Sequence, residues 1–388
     1  MAHIEKRGTN RWRARYRTPS GEERSRTFHR RVDAERFLES ITTDLVRGEW
    51  ADPMLGRILF SDWVKQWELA IADDLRPTTR ELNLGVARNY LLPRFGAWPI
   101  ARIRTIDVQR MVAEERKAGS LSSSAIRRHV IVLSTILASA IPERLARNPC
   151  AGVKLPPERS RKMRFLEPDE IAVIANAIHP HYSPLVLTAA FAGLRWGELA
   201  GLRSERVNVL RRTIRVEEQL VEVGGKPQFG PPKTRAGVRT VTIPATLADL
   251  LGERLGTGPV RSSGLVFPTP SGTPMRRSNF STVWRRAVDG TPARPGVFAG
   301  TRLAGLVFHE LRHTAAALAI AQGAHPVAIR ERMGHSSIVV TMDTYGGLFP
   351  RLDEAIAEGL DGPLRDALAA WSRPDGPPKS SSLQVRGG

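Results

Sequence analysis

Hydrophobic and polar positions change period several times along the chain, and each change predicts an element. In RWRARYRTPSGEERSRTF, Trp12, Ala14 and Tyr16 alternate with Arg11, Arg13, Arg15 and Arg17. A period of two predicts a strand with one apolar and one cationic face. Pro19-Ser20-Gly21 predicts the turn into a second strand ending at Phe28. From Val32 to Arg47 the period lengthens, and a helix there lays Ala34, Phe37, Leu38, Ile41 and Leu45 over the apolar side of the sheet. GEWADPMLG follows as a linker.

From Arg57 to Arg147 the pattern is helical throughout. Phe60 to Ile71 predicts one helix, and Pro77 opens a second that ends before Pro93. Thr105 to Lys117, with Asp107 in its first turn, predicts a third, and Ser122 to Ala140 the longest. NPCAGVKLPPERSR has no periodicity and predicts a linker. Beyond it FLEPDEIAVIANAI starts a helix at Pro168, after an acidic residue. Two runs with strand character, Thr213 to Val223 and Val238 to Ile243, flank GGKPQFGPPKTRAG and predict a hairpin loop carrying Lys233. Leu352 to Trp371 is helical, and Ala355, Ile356, Leu360, Leu364 and Leu368 give it an apolar surface, for its own domain or a neighbouring subunit. The tail RPDGPPKSSSLQVRGG cannot bury a core and is expected to be disordered.

Charge adds a partner to this picture. Lys and Arg total 58 against 39 Asp and Glu, a formal net charge of +19, which suits a protein that tracks a polyphosphate backbone. Only eight of the cations are Lys, and the Arg, Ala and Gly skew suggests a GC-rich genome as much as DNA chemistry, so most arginines are expected on solvated faces. The one cysteine, Cys150, excludes an internal disulfide and a cysteine-rich zinc site, and fits a reducing compartment. MAHIEKRGTNRWRARYR is too polar for a signal peptide, and no run of about 18 apolar residues offers a span, so a soluble protein with no membrane partner is expected. At 388 residues the chain allows two or three domains.

Candidate chemistry lies in five strings: AGLRWGELAGL, PPKTRAGVRTVTIP, FHELRHTAAALA, ERMGHSS and TMDTYGGLFP. They carry Arg195, Lys233, His309, Arg312, His335 and Tyr345 in that order. Attack on a phosphodiester gathers negative charge on its non-bridging oxygens, and two guanidinium groups, Arg195 and Arg312, can hold these with forked hydrogen bonds. A tyrosine such as Tyr345, with a reference pKa of about 10, needs a neighbour to take its proton, and the leaving 5′ oxygen needs one in return. A lysine and two histidines can supply both without a metal. His309 and Arg312, three apart on a helix, share a face. The same offset makes Glu198 a partner that orients Arg195.

With those strings in that order, the chain resembles the tyrosine recombinases, and within them the phage-type integrases, over roughly residues 1 to 355. Met333, where Leu is usual before Gly-His, and Gly347, in place of a frequent His, are the departures. The resemblance implies the DNA breaking-rejoining fold in several domains. A small α+β arm-type DNA-binding domain (1–55, three-stranded sheet plus helix) is followed by an all-α core-binding domain (56–148), a linker (149–161) and a mixed, mainly α catalytic domain with a small antiparallel sheet (162–355). A C-terminal helix and tail (356–388) complete it. Arg127, Arg128 and His129, with Ser122 to Ser124 ahead of them, form the DNA-facing set of the helical domain.

It implies site-specific integration of a prophage or similar element, and excision, through a 3′-phosphotyrosyl intermediate on Tyr345. Arg195, Lys233, His309, Arg312 and His335 complete the active site, with no cofactor and no metal. The partners implied are double-stranded DNA attachment sites and a homotetramer on two duplexes, with an excisionase or other directionality factor and a host DNA-bending protein as compatible accessories. The setting is the cytoplasm of a bacterial host, at the nucleoid. The alternatives are a Xer-like resolvase, a type IB topoisomerase-like strand transferase and, more distantly, a non-enzymatic DNA-binding regulator.

Overall fold

The computed structural model describes residues 2–18, 21–47, 52, 54–71, 74–158, 163–349 and 352–371. The chain divides into two compact units, Met1–Lys162 with Glu222–Lys226, and Met163–Val221 with Pro227–Gly388.

The first unit opens with an antiparallel sheet of β1 (His3–Gly8), β2 (Arg11–Arg17) and β3 (Glu23–Phe28), in that spatial order. Trp12 pairs with Phe28 and Tyr16 with Arg24 in the β2–β3 register. The predicted alternation holds: Ala14 and Tyr16 are buried with Ala34, Leu38 and Ile41 of helix α1 (Arg31–Arg47), and Trp12, Phe28 and Phe37 pack around them. On the opposite face the arginines are not all free. Arg15 is bound to Glu23 at 2.6 Å and to Glu5 at 3.4 Å. Of the expected turn, Pro19 and Ser20 lie outside the described residues. Asp52, in the stretch expected as linker, is buried; it accepts from Arg24 at 3.2 Å, and its own N–H donates to Glu143 O at 3.1 Å.

A helical bundle follows: α2 (Phe60–Ala70), α3 (Pro77–Val86), α4 (Leu92–Phe95), α5 (Thr105–Ala118) and α6 (Ser123–Ala138). Phe60, Leu91, Phe95, Met111, Leu133 and Leu137 are almost fully buried in its core; each such side chain contributes about 1.5–3 kcal/mol. The second helix does not stop before Pro93. A π-helical turn, Ala87–Leu91, joins α3 to α4, and Pro93 falls in the first turn of α4, where its missing N–H needs no acceptor. His129 is also not a DNA-facing residue: it is buried, bonded to Glu115 at 3.0 Å and lies over the Tyr90 ring at 4.0 Å. Arg127 is half-buried and donates to Pro156 O, which leaves Arg128 as the exposed member of that trio.

The first half of the expected linker is anchored to this bundle. Asn148 donates to Ser134 O at 2.9 Å, Lys154 N–H to Gln109 at 2.9 Å, and Cys150 is buried. Residues 159–161 lie outside the described residues.

The second unit is built around α8 (Ser183–Ala192), preceded by α7 (Pro168–Ala177) and followed by the short α9 (Trp196–Ala200). Leu185, Val186, Ala189, Ala190 and Ala192 of α8 are all buried, as a helix apolar on every side requires. Two small sheets follow. One joins β4 (Val207–Asn208), β5 (Thr213–Val216) and β8 (Arg239–Thr242); the other is a hairpin of β6 (Gln219–Val223) and β7 (Lys226–Gly230). The expected single run from Thr213 to Val223 therefore splits. Glu217 and Glu218 interrupt it, drawn to Arg206 at 2.6 Å and Arg203 at 2.8 Å. The hairpin turns at Gly224-Gly225, both at positive φ, so Lys233 lies beyond it on the segment leading to β8, not on its loop.

Helices α10 (Ala245–Leu255), α11 (Gly258–Ser263) and α12 (Arg277–Val288) and the paired strands β9 (Gly290–Thr291) and β10 (Arg294–Pro295) lead to α13 (Glu310–Ala321), α14 (Pro326–Met333) and α15 (Ile338–Tyr345). Ala315, Ala316, Ile320, Ile329, Met333 and Tyr345 form a core of their own. The last helix, α16 (Leu352–Trp371), exposes Leu360, Leu364 and Leu368. The side chains of Ala355 and Ile356, and the tail from 372, lie outside the described residues. No described helix is long and apolar enough to cross a membrane.

Candidate active site

Arg195 caps α9, where its side chain has left the apolar run of α8. Its N–H donates to Glu198 Oε2 at 2.8 Å, its Nη1 to Glu198 Oε1 at 2.9 Å, and its Nη2 to Gly334 O at 3.0 Å. Glu198 is buried and also receives Arg239 of β8, Nη2 to Oε2 at 2.9 Å. Burial works to raise its pKa, but the hydrogen bonds and charge of Arg239, the Arg195 N–H and the charge of Arg312 win, and the carboxyl falls to about 2. Glu198 is thus the partner of Arg195 that the three-residue offset predicts, held ionised between two guanidinium groups.

Arg312, buried on α13, donates to Gly193 O and Met333 O, the carbonyls at the ends of α8 and α14. Arg239 donates to Arg332 O at 2.7 Å, and Arg332 to Phe191 O at 2.8 Å. Exposed carbonyls at helix C-termini carry partial negative charge, so these helix ends orient a cluster of cations that would otherwise repel. Burial, then the charge of Arg195, lowers the Arg312 pKa to about 9, which leaves it charged at neutral pH. Gly334 ends α14 at φ 61°, and a Cβ there would meet Ala236 O at 2.7 Å, so only glycine presents this carbonyl to Arg195.

Three imidazoles and the phenol complete the cluster. Tyr345, the last residue of α15, is 1% exposed. Burial pushes its pKa up to about 12 against the pull of Arg312 and Arg195. His335 lies parallel to its ring, with 6.3 Å between centroids and 11° between planes, and holds Thr341 Oγ1 at 2.9 Å through Nδ1. Burial and the charges of Arg312 and Arg195 lower the His335 pKa to about 4. His309, immediately before α13, is exposed at its edge but closely surrounded by protein; that environment, His313 and the nearby arginines lower its pKa too. His313 reaches the phenol itself, with Nδ1 2.8 Å from the Tyr345 hydroxyl.

Five of the six sequence-predicted residues, Arg195, His309, Arg312, His335 and Tyr345, therefore meet. Lys233 is exposed and makes no hydrogen bond or ion pair among the described residues. Sequence reasoning missed His313, although its signal stood in HELRHT, one residue beyond Arg312 and four beyond His309. It also gave Arg239 no part; the strand pattern alone does not reveal that its guanidinium turns back onto Glu198. Among the described residues no group of three or more His, Cys, Asp or Glu side chains is placed to hold a metal ion.

Comparison with known proteins agrees with this geometry. Residues 164–349 match the Phage integrase family, and residues 59–115 match its N-terminal SAM-like domain. The integrase of Mycobacterium phage D29 is 28% identical over 351 residues, covering 86% of this chain and 88% of that protein. Two solved structures share the fold. A Tn1549 transposon integrase in complex with transposon right end DNA has a TM-score of 0.63 at 20% identity, covering 79% of this chain and 98% of that one. A lambda integrase tetramer bound to a Holliday junction has a TM-score of 0.53 at 18% identity, covering 88% and 94%.

Fold and site together define a site-specific tyrosine recombinase, an enzyme that cuts and rejoins DNA strands. Within that class the chain belongs to the phage integrase family.

Proposed function

We propose that Tyr345 is the nucleophile of strand cleavage and that Arg195, Lys233, His309, Arg312 and His335 complete the catalytic set. One observation carries the reading: Tyr345 lies beside the imidazoles of His313 and His335 in a site charged by Arg195 and Arg312. In the reaction the phenolic oxygen bonds to the scissile phosphorus as the bond to the 5′ oxygen breaks. A 3′-phosphotyrosyl link and a free 5′ hydroxyl result. Arg195 and Arg312 hold the non-bridging oxygens, their forks aimed in advance by Glu198 and the helix-end carbonyls. His309 and His335, kept neutral, offer hydrogen bonds to the same phosphate without adding charge. Lys233, free of partners among the described residues, supplies the proton to the leaving 5′ oxygen. A 5′ hydroxyl from the second duplex then reverses the step, and no external energy source is needed.

The substrates are double-stranded attachment sites, and the product is an integrated prophage or similar element on a bacterial chromosome, with excision as the reverse reaction. Four subunits on two duplexes exchange one strand pair, pass through a Holliday junction and exchange the other. A directionality factor and a host DNA-bending protein are the accessory partners. The cationic face of β2 and its flanking strands reads arm-type sites (residues 1–55), the helical bundle holds the core site (56–148), 149–161 links it to the catalytic domain (162–355), and 356–388 meets a neighbouring subunit through the exposed leucines.

A nicked suicide substrate carrying an attachment site tests the reading. The intact chain is expected to form a denaturation-resistant protein–DNA adduct. Tyr345→Phe, which removes one oxygen, should bind the same DNA and form none. An adduct on Tyr345→Phe refutes the assignment of the nucleophile.

A further inference from the structure

His309 and His335 belong to the pattern that the sequence displays; His313 does not, yet it is the imidazole that touches the reacting atom. Its Nδ1 lies 2.8 Å from the Tyr345 hydroxyl. The His335 ring lies parallel to the phenol ring, and its Nδ1 is engaged with Thr341. His309 packs edge-on against His313, with 5.0 Å between ring centroids. A buried phenol with a raised pKa cannot ionise by itself near neutral pH.

We infer that His313 accepts the phenolic proton of Tyr345 as the scissile phosphate is attacked, a role that rests on Tyr345 being the nucleophile. The Tyr345 oxygen–phosphorus bond forms and the phosphorus–5′ oxygen bond breaks while the phenolic proton moves to Nδ1 of His313. The 5′ oxygen takes its proton from a separate donor. On religation a 5′ hydroxyl bonds to phosphorus and gives its proton back to the separate donor, while the tyrosyl–phosphorus bond breaks and His313 returns its proton to the phenolate, so each cycle balances.

For this the imidazole must be neutral before attack. Burial and the charge of Arg312 lower its pKa, while Glu310 favours the protonated ring. His309 on the same segment, His335 from the turn before α15 and Tyr345 at the end of α15 are the other titratable groups facing it. Glu310 is bound by Arg164 at 2.8 Å, which draws its charge toward that guanidinium.

Single-turnover cleavage of a suicide site, with either an ordinary phosphodiester or a 5′-bridging phosphorothiolate, tests the role. His313→Asn leaves an amide that can accept a hydrogen bond near the Nδ1 position but cannot hold a proton, and His313→Gln is measured beside it to guard against a fold defect in one variant. Both should bind DNA like the intact chain. Both should cleave on the order of 10²-fold more slowly at neutral pH, with the deficit shrinking as pH rises and the phenol ionises unaided. The phosphorothiolate should not restore them, because a thiolate leaving group needs no proton whereas the attacking phenol must still lose one. Wild-type cleavage by either variant, or rescue by the phosphorothiolate, overturns the inference. Tyr345→Phe in the same assay separates the two readings: an adduct there removes the nucleophile assignment itself. Its absence, with unimpaired His313→Asn, removes only the proton acceptor.

Discussion

Replacing Glu198 by Gln removes one charge from the centre of the site and almost no volume. The carboxylate accepts from the Arg195 N–H and Nη1 and from both terminal nitrogens of Arg239. Its pKa falls from an ordinary 4.5 to about 2. At about 1.4 kcal/mol per tenfold change in proton affinity, that makes the ionised form worth on the order of 3 kcal/mol of stability. The sign follows from the direction. A lowered carboxyl pKa stabilises the fold fully above pH 4.5, and the contribution drains away as pH falls toward 2. Hydrogen exchange followed by mass spectrometry in peptides from α8 and α9 reads the opening free energy of this region alone. The intact chain and Glu198→Gln should differ by about 3 kcal/mol at pH 7, and the gap should close as pH falls below 4.5. A gap that stays constant down to pH 3 would refute the charge argument, because the loss would then come from packing. Adduct formation should fall in step, since Arg195 loses the anchor that aims its fork.

Arg312→Lys keeps a positive charge but loses the two-pronged hold on the Gly193 and Met333 carbonyls; single-turnover cleavage should drop by about 10²–10³-fold, and near-wild-type cleavage would contradict the clamp. Deleting residues 1–55 should abolish gel-shift binding to distal arm-type sites and leave cleavage of an isolated core site. A truncated chain that recombines full-length attachment sites as well as the intact one would remove the arm assignment. The same deletion should flatten the salt dependence of DNA binding, since it removes phosphate contacts.

Local patterns were legible where one face of an element decides its fate. The Trp12, Ala14 and Tyr16 alternation and the helices from Phe60, Thr105 and Ser122 appear where periodicity puts them. Legibility failed where a long-range partner overrides the local signal. Glu217 and Glu218 look like strand residues until Arg206 and Arg203 draw them aside. His129 looks like part of a basic surface until Glu115 and Tyr90 enclose it. Within the site, Glu198 was legible because its partner is three residues away on one helical turn. Arg239 was not, because its partner lies 41 residues away in sequence, and His313, though it stands in HELRHT, has its partner Tyr345 on a later helix.

The helix-end carbonyls that hold the arginines have a consequence for the life of the chain before it is fully folded. Arg195 binds a carbonyl 139 residues further on, and Arg312 one 119 residues earlier. Neither clamp half can be aimed until α8, α13 and α14 have docked, so an emerging or partly opened polypeptide carries the tyrosine without the means to use it. If Tyr345 and these arginines act as proposed, an enzyme that cuts and rejoins DNA is thereby inert until those helices have docked, and the safeguard requires no inhibitor.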